Sequence, residues 1–199
     1  MHLLRASLLT RSIRPVASLL HPRSITIRVV PTDRELMDEP VPTSSPALVS
    51  ASEAIALFND KDKRIKFIDA SWHLNKARDP DAEFMAERIP GAQRFDIDKI
   101  SDKQNPLPHM LPSPVEFAEH VSNMGISPRD HVIVYTHADC FSAPRVWWTF
   151  KTFNHMHVSV LNGGMKAWKI AGGDVATGPV DPVIKAEYRT PRLNKNMVS

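Results

Sequence analysis

Cysteine, glycine and long apolar runs are all scarce in this sequence. A single cysteine in 199 residues excludes an intramolecular disulfide and a zinc site built from several thiolates. No run approaches the roughly 18 apolar residues that cross a bilayer, so the sequence predicts no membrane-spanning segment and no membrane partner. The content of 42% hydrophobic and 24% charged residues is instead typical of a soluble globular protein of about one domain.

Acidic residues are absent from the first thirty positions, which carry five arginines among many serines and leucines. This composition is typical of an organelle transit peptide, because a membrane potential draws a positive, acid-free segment inward. We therefore predict that residues 1–30 are a mitochondrial transit peptide and that the protein is mitochondrial, with the matrix as its destination. The alternative is a basic tail that only solvates the N-terminus.

The positive net charge of the chain, +3, is due to that segment. Without its five arginines, 20 of the 25 basic side chains remain against 22 acidic ones. A nucleic-acid-binding domain needs a basic face, so no nucleic-acid partner is expected. The glycine pattern of dinucleotide-binding loops, G-x-G-x-x-G, is also absent, and no cofactor is predicted.

Proline marks the two ends of a predicted domain. Residues 31–46 contain four prolines together with serine and threonine, and they are predicted to be a linker. The compact domain is predicted to cover residues 47–178. Residues 179–199 are polar, contain three further prolines and are predicted to form a tail.

Strand and helix patterns alternate through the predicted domain. The clearest helix pattern is 112–125, where Ser113 and Glu116 have the spacing of a capping box. The clearest strand pattern is the apolar run HVIVY at 131–135. Further helices are predicted from Ser50 or Ser52 to 58 and at 82–88, 142–153 and 165–170, and further extended segments at 66–70, 94–97 and 158–161. The alternation predicts an α/β fold with a mainly parallel sheet and helices on both faces.

A binding site is expected where strand 131–135 runs into the next helix. Ligands of parallel α/β sheets bind beyond the carboxyl ends of the strands. The main-chain N–H groups of the loop THADCF, with a helix start behind them, would form a cradle for an anion. Arg145, in the first turn of that helix, would add a positive charge. Cradles of this kind are common in α/β proteins, so this one does not identify its ligand.

Five segments of the predicted domain carry a more specific signal. They are IDASWHL (68–74), ERIPGAQRFDID (87–98), PLPHMLPSPVEFAEHVSNMGI (106–126), VIVYTHADCFSAPRVWWTF (132–150) and VSVLNGGMKAWKIAGG (158–173). In this order they resemble the N-terminal domain of the two-domain rhodanese family, the thiosulfate and 3-mercaptopyruvate sulfurtransferases. The resemblance implies a rhodanese-like domain and sulfane sulfur transfer from a small anionic donor, through a cysteine persulfide, to a thiol or cyanide.

The resemblance implies that the reactive cysteine of those enzymes lies in the C-terminal domain. Their N-terminal domain would be an inactive copy that helps to enclose the site. Here Thr136 directly follows the strand, at the position of the nucleophile, and a hydroxyl cannot carry a persulfide. We therefore expect no sulfur transfer by this chain alone. The expected partner is a catalytic rhodanese domain or, through self-association, a second copy.

Cys140 is an alternative nucleophile, because it lies in the same loop four residues after Thr136. A place near the helix N-terminus would lower the pKa of its thiol. The competing interpretation is a small apolar side chain packed under the loop. A phosphatase-like site is not expected, because Cys140 and Arg145 have four residues between them and that chemistry needs five.

The resemblance also implies two candidate substrate-binding residues in addition to Arg145. Asp69, in DASW, matches a position that faces the interdomain site, and Arg88, in ERIPGA, occupies a place where several relatives have histidine. The competing interpretations are a carboxylate that accepts main-chain hydrogen bonds for Asp69 and a surface charge for Arg88. No metal site is predicted, because nothing in the sequence shows that three ligands converge.

Three hypotheses about function remain open at this point. The chain is a sulfurtransferase that acts with a partner domain or through Cys140, a non-catalytic binding or regulatory module, or an incomplete form of a longer two-domain enzyme. The segment after Gly178 resembles the bridge into a second domain, which supports the third hypothesis.

Overall fold

The computed structural model describes residues 44–137 and 141–198. The predicted transit peptide, most of the predicted linker and Cys140 lie outside these residues. All described residues fall within one compact unit. Among them, no helix combines the length and the apolar character needed to cross a lipid bilayer.

A parallel sheet of five strands lies at the centre of the described chain, in the order β1-β5-β4-β2-β3. The strands are β1 (Leu48–Val49), β2 (Ile65–Asp69), β3 (Gln93–Arg94), β4 (His131–Tyr135) and β5 (Val158–Leu161). The middle strand β4 pairs with β2 and β5. Its last four residues are buried, as expected for a parallel strand covered on both faces.

Five helices accompany these strands: α1 (Ala51–Asn59), α2 (Pro80–Ala86), α3 (Pro114–Asn123), α4 (Ser142–Thr152) and α5 (Gly164–Ile170). The predicted capping box at the start of α3 is present, because Ser113 accepts from the Glu116 N–H and the Glu116 carboxylate accepts from the Ser113 N–H. The same reciprocal cap, between Ser50 and Glu53, begins α1.

The helices cover both faces of the sheet, which confirms the predicted fold class. One buried cluster joins Val132 and Val134 of β4 to α3 and α4, with Phe117 and Phe150 as large members. The other cluster joins Ile133 and Tyr135 of β4 to α1, α2 and α5; its members include Ala54, Phe84 and Trp168. The alternation of side chains along β4 divides its residues between the two clusters.

Two short elements differ from the sequence predictions. The extended segment predicted at 94–97 is a two-residue strand, Gln93–Arg94, and the edge strand β1 was not predicted at all. Both strands are too short for a period of two to be recognised. Helix α2 begins at Pro80 rather than 82, because the Asp79 side chain accepts hydrogen bonds from the N–H groups of Asp81 and Ala82.

The segment after Gly178 packs against the domain. The Tyr188 ring is buried in the cluster of α3 and α4, and its hydroxyl lies 3.0 Å from Nδ1 of His155. The guanidinium of Arg88 donates to the carbonyl oxygens of Gly178, at 2.7 Å, and Pro179, at 2.8 Å. These contacts hold the segment on the surface of the sheet domain.

Candidate functional site at the carboxyl edge of the sheet

The end of the central strand is held tightly against helix α5. The buried Thr136 follows β4 directly, and its carbonyl oxygen accepts a hydrogen bond of 2.9 Å from the Met165 N–H. Gly164 has a φ of +55°, and a Cβ at this position would overlap the Thr136 carbonyl oxygen. Glycine therefore allows α5 to approach the main chain at the end of β4 closely.

The next residue, His137, is fixed by contacts to the end of β2. Its main-chain N–H donates to Oγ of Ser71 at 2.9 Å. Its Nε2 lies 3.0 Å from Oδ2 of Asp69, and the two side chains are 7% and 0% exposed. Neither atom makes a hydrogen bond of regular geometry with the described residues. The contact therefore brings an imidazole and a carboxylate together inside the protein, where electrostatic interactions are weakly screened.

Further charged groups continue from this pair. Nδ1 of His137 lies 3.9 Å from Oε1 of Glu87, and Glu87 accepts from the Lys169 ammonium at 2.8 Å. On the other side, Arg94 lies 3.8 Å from Oδ1 of Asp69. This row of charges connects β2, the loop after β4, the C-terminal end of α2, and α5. The sequence analysis named Asp69 as a candidate, but it did not identify His137 as its partner.

A second pair of a carboxylate and an imidazole lies in the loops beyond β3. Nε2 of His109 is 2.7 Å from Oδ1 of Asp98, and the Trp72 indole donates to Oδ2 of Asp98 at 2.8 Å. Partial burial acts to raise the pKa of Asp98, but the hydrogen bonds from Trp72 and His109 outweigh it and lower that pKa below its ordinary value. A carboxylate that orients an imidazole is the arrangement of a general acid–base pair.

His109 also has an unusual backbone. Its φ is +57°, in the left-handed region that side chains other than glycine rarely occupy. Such conformations concentrate at functional sites, where the surrounding contacts hold them in place. Neither Asp98 nor His109 was named from the sequence, because they lie in polar loops with no periodic pattern to relate them.

An apolar rim next to this second pair is formed by Trp72 and Phe141, and Leu74 and Leu107 follow or precede Trp72 and His109 by two residues in the chain. The Trp72 ring contacts the edges of His109 and Phe141, with centroid distances of 5.1 and 5.6 Å. Phe141 is 67% exposed, and Leu74 and Leu107 are also exposed. Apolar side chains grouped on a surface and bordered by polar ones are typical of an interaction site.

Arg145 lies next to the rim, in contact with His109 and Trp148. Its guanidinium donates to the His109 carbonyl oxygen and stacks on the Trp148 ring, 4.5 Å from the centroid. Burial lowers its pKa, but a guanidinium remains charged at neutral pH. The structure thus places Arg145 beside His109, in contact with its main chain.

Arg88 lies elsewhere, at the turn after α2. It is buried, engages the carbonyl groups of Gly178 and Pro179, and lies 5.3 Å from the Phe84 ring centroid. The fourth candidate side chain, Cys140, lies outside the described residues. Of the predicted substrate-binding residues, Asp69 and Arg145 border the loop after β4, whereas Arg88 contacts the C-terminal segment.

A cleft of about 520 Å³ opens on the other side of this loop, towards β5. Its walls include Thr136, His137, Phe141, Asn162 and Lys166. Phe141 thus borders both the cleft and the apolar rim. No three or more His, Cys, Asp or Glu side chains of the described chain converge on a point that could hold a metal ion.

This arrangement, a parallel sheet with one loop after the central strand ringed by charged and aromatic groups, is that of an α/β domain with a binding site at the carboxyl edge of its sheet. The family model of the rhodanese-like domain matches residues 50–171. The chain therefore belongs to the rhodanese family, and its relatives are 3-mercaptopyruvate and thiosulfate sulfurtransferases.

Two curated relatives and one solved structure illustrate the similarity. The 3-mercaptopyruvate sulfurtransferase of Rattus norvegicus is 43% identical over 143 residues, which are 68% of this chain and 48% of the relative. The mitochondrial thiosulfate/3-mercaptopyruvate sulfurtransferase 1 of Arabidopsis thaliana is 39% identical over 158 residues, 76% of this chain and 42% of the relative. SseA, a 3-mercaptopyruvate sulfotransferase of Escherichia coli, has a crystal structure that matches with a TM-score of 0.65 and 33% identity, covering 75% of this chain and 56% of that one. The chain spans about half the length of the curated relatives it matches.

Proposed function

We propose that this chain supplies the rhodanese domain without the nucleophile in a sulfurtransferase that moves sulfane sulfur from thiosulfate or 3-mercaptopyruvate to a thiol or cyanide. The observation that carries the proposal is Thr136, which follows the central strand at the position where the family places its nucleophile. By itself the chain is inactive.

The chemistry requires a sulfur nucleophile. A thiolate that attacks the outer sulfur of thiosulfate forms a new S–S bond and releases sulfite. With 3-mercaptopyruvate, the C–S bond breaks, its electron pair passes to carbon, and the carbon takes up the former thiol proton to give pyruvate. In both cases the sulfur remains on the cysteine as a persulfide, which a threonine hydroxyl cannot form.

The Asp98–His109 pair is suited to the proton transfer in the second reaction. Asp98 orients the imidazole at 2.7 Å, and the ring remains partly exposed at the surface of the domain. When a donor is bound next to it, His109 takes the thiol proton and returns it to carbon. This domain would thereby contribute an acid–base group to a reaction whose nucleophile belongs to another domain.

The proposed partner is a cysteine-bearing rhodanese domain that covers the apolar rim of Trp72, Leu74, Leu107 and Phe141. Covering this rim would remove exposed apolar surface from water and would also enclose the His109 imidazole. The finding that the chain spans about half of its relatives supports this partner. A regulatory module that binds some other protein is the alternative, and self-association is a third possibility.

The test is an assay of the purified chain with either donor, using cyanide or a thiol as the acceptor. We expect no thiocyanate or sulfide above the blank, and no gain of one sulfur atom in the protein mass. When a cysteine-bearing C-terminal domain of a relative is added, we expect turnover to exceed that of the added domain alone. Turnover by the chain alone that is lost in Cys140→Ser would contradict the proposal and assign the reaction to Cys140.

We also propose that residues 1–30 direct the protein to mitochondria. The acid-free, arginine-rich composition supports this, and so does the mitochondrial relative of Arabidopsis thaliana. Residues 1–30 fused to a fluorescent protein are expected to enter mitochondria. A matched fusion with Arg5, Arg11 and Arg14 changed to aspartate is expected to remain outside, and equal import of both fusions would refute the assignment.

A further inference from the structure

Two histidines lie side by side at the amino-terminal ends of the parallel strands, opposite to the carboxyl ends where Thr136 lies. The register pairs Val132 with Val158, so that His131 and His157, one residue before each, are neighbours on adjacent strands. Parallel strands are about 4.8 Å apart. Side chains alternate along each strand, so both imidazoles lie on the face that Ile133 and Leu161 share with helix α1.

The two imidazoles border a groove of about 570 Å³ between the sheet and α1. Ser44, Ser45 and Pro46 form one wall of the groove, and α1 forms the other. Glu53 and Asp60 contribute carboxylates to the α1 wall. The groove therefore combines two carboxylates and two imidazoles with apolar lining residues, among them Val49 and Leu57.

The hydrogen bonds of Ser159 determine the tautomer of His131. The Ser159 hydroxyl donates its one hydrogen to the Pro46 carbonyl oxygen at 2.6 Å. It must therefore accept at its second contact, which is with Nε2 of His131 at 2.8 Å. Because Nε2 carries the proton, Nδ1 of His131 has a bare lone pair.

His157 also has one ring nitrogen next to a serine hydroxyl, in a contact where either atom can donate. Its Nδ1 lies 3.3 Å from Oγ of Ser45. Nε2 of His157 makes no hydrogen bond with the described residues, and the same is true of Nδ1 of His131. An imidazole that is anchored through one nitrogen and open at the other has the arrangement of a metal ligand supported by its neighbours.

Charged side chains near the groove act on a bound cation in opposite directions. The Lys151 ammonium opposes a bound cation, whereas the carboxylates of Glu53 and Asp60 favour one.

We propose that Nδ1 of His131 and Nε2 of His157 bind a divalent transition-metal ion, with Zn²⁺ as the probe, in this groove. Imidazole ligands suit zinc, copper and nickel and exclude magnesium and calcium. No third His, Cys, Asp or Glu converges here among the described residues, so water completes the coordination. Thr136 is about 17 Å away from His131 along β4 at about 3.3 Å per residue, and the site is independent of the sulfur-transfer proposal.

The test is a calorimetric titration of the full-length chain with Zn²⁺, carried out in a Cys140→Ser background that removes the thiol. We expect the Cys140→Ser protein to bind one equivalent of Zn²⁺. His157→Gln in the same background is expected to weaken the affinity for this ion by about tenfold or more. His120→Gln, on the surface of α3, is the matched control and is expected to leave that equivalent unchanged. Zinc binding that is equal in all three proteins, or absent from the Cys140→Ser protein, would overturn the proposal.

Two further measurements separate ligation from loss of fold. Long-range ¹H–¹⁵N spectra of the metal-free protein are expected to show His131 protonated at Nε2, and Zn²⁺ is expected to shift its Nδ1 resonance. Ser159→Ala removes the acceptor for Nε2 and is expected to weaken zinc binding while the protein remains folded by circular dichroism. An Nδ1-protonated His131, or a Ser159→Ala protein with unchanged affinity, would contradict the proposed ligand atoms.

Discussion

The imidazole of His137 and the carboxylate of Asp69 are in contact inside the protein, 3.0 Å apart, although 67 residues separate them in the chain. The pair joins the loop after β4 to the end of β2. Both strands are parallel neighbours in the sheet, so their carboxyl ends meet at one edge. The contact therefore follows from the topology of the sheet.

A double-mutant cycle measures the strength of this contact. We expect His137→Leu to destabilise the fold by about 3 kcal/mol, because it removes the basic side chain nearest to the buried Asp69 carboxylate and leaves Arg94, at 3.8 Å, as the one beside it. Adding Asp69→Asn to His137→Leu should restore part of the lost stability. Urea denaturation of the unchanged protein, the two single variants and the double variant measures this. Strictly additive effects would mean that the two side chains do not interact.

Gly164→Ala tests the close approach of α5 to the end of β4. The new Cβ would overlap the Thr136 carbonyl oxygen at a φ of +55°, and we expect a loss of stability of about 2–4 kcal/mol. Gly172→Ala is the matched control, because its φ is +83° but no atom lies near the added Cβ. It should cost about 1 kcal/mol. Equal losses in chemical denaturation would attribute the effect to backbone conformation alone.

Tyr188→Phe tests how the C-terminal segment is held. The hydroxyl lies 3.0 Å from Nδ1 of His155 in a buried place, and its removal is expected to cost about 1–2 kcal/mol. Tyr188→Ala also removes the ring from the core and should cost about 3–5 kcal/mol. Ile184→Ala, at a side chain exposed to solvent, should be neutral. Denaturation curves for Tyr188→Ala that match those of the unchanged protein would show that the segment does not stabilise the domain.

His155 should make the stability dependent on pH. Burial lowers its pKa from the ordinary value of 6.5 to about 4, so the unfolded chain takes up a proton that the folded state excludes. This contribution is complete above pH 6.5 and declines by about 1.4 kcal/mol per pH unit as the pH falls towards 4. Urea denaturation at about pH 7, 6 and 5 measures the slope. The slope should be shallower in His155→Gln, and an identical slope would assign the pH dependence to other groups.

Asp98→Asn tests the proposed acid–base pair in the assembly with a cysteine-bearing domain. Loss of the carboxylate leaves His109 without its orienting charge, and we expect kcat with 3-mercaptopyruvate to fall by about a hundredfold. Thiosulfate requires no proton transfer to carbon, so its kcat should change much less. Asp174→Asn, on the surface, is the control for charge. A similar decrease for both donors would indicate a structural role for Asp98.

The sequence alone was sufficient for the elements that carry a continuous apolar run, a periodic pattern or a complete cap. The strand at 131–135 was recognisable from its apolar run. The helix after Ser113 was recognisable because apolar residues recur along one side of it and a capping box begins it. The strands Leu48–Val49 and Gln93–Arg94 were not, since two residues contain no period. They exist because the neighbouring strands offer hydrogen-bonding partners.

The amino-acid sequence by itself determined which atom stands at the end of the central strand: a threonine oxygen, whatever the surrounding geometry. Only the tertiary structure decided that His137 meets Asp69, that His109 meets Asp98 and that Tyr188 enters the core. These contacts join segments that lie far apart in the chain or in loops without periodicity. Local propensity contains no information about such pairs, because the folding of the sheet and the burial of its faces bring them together.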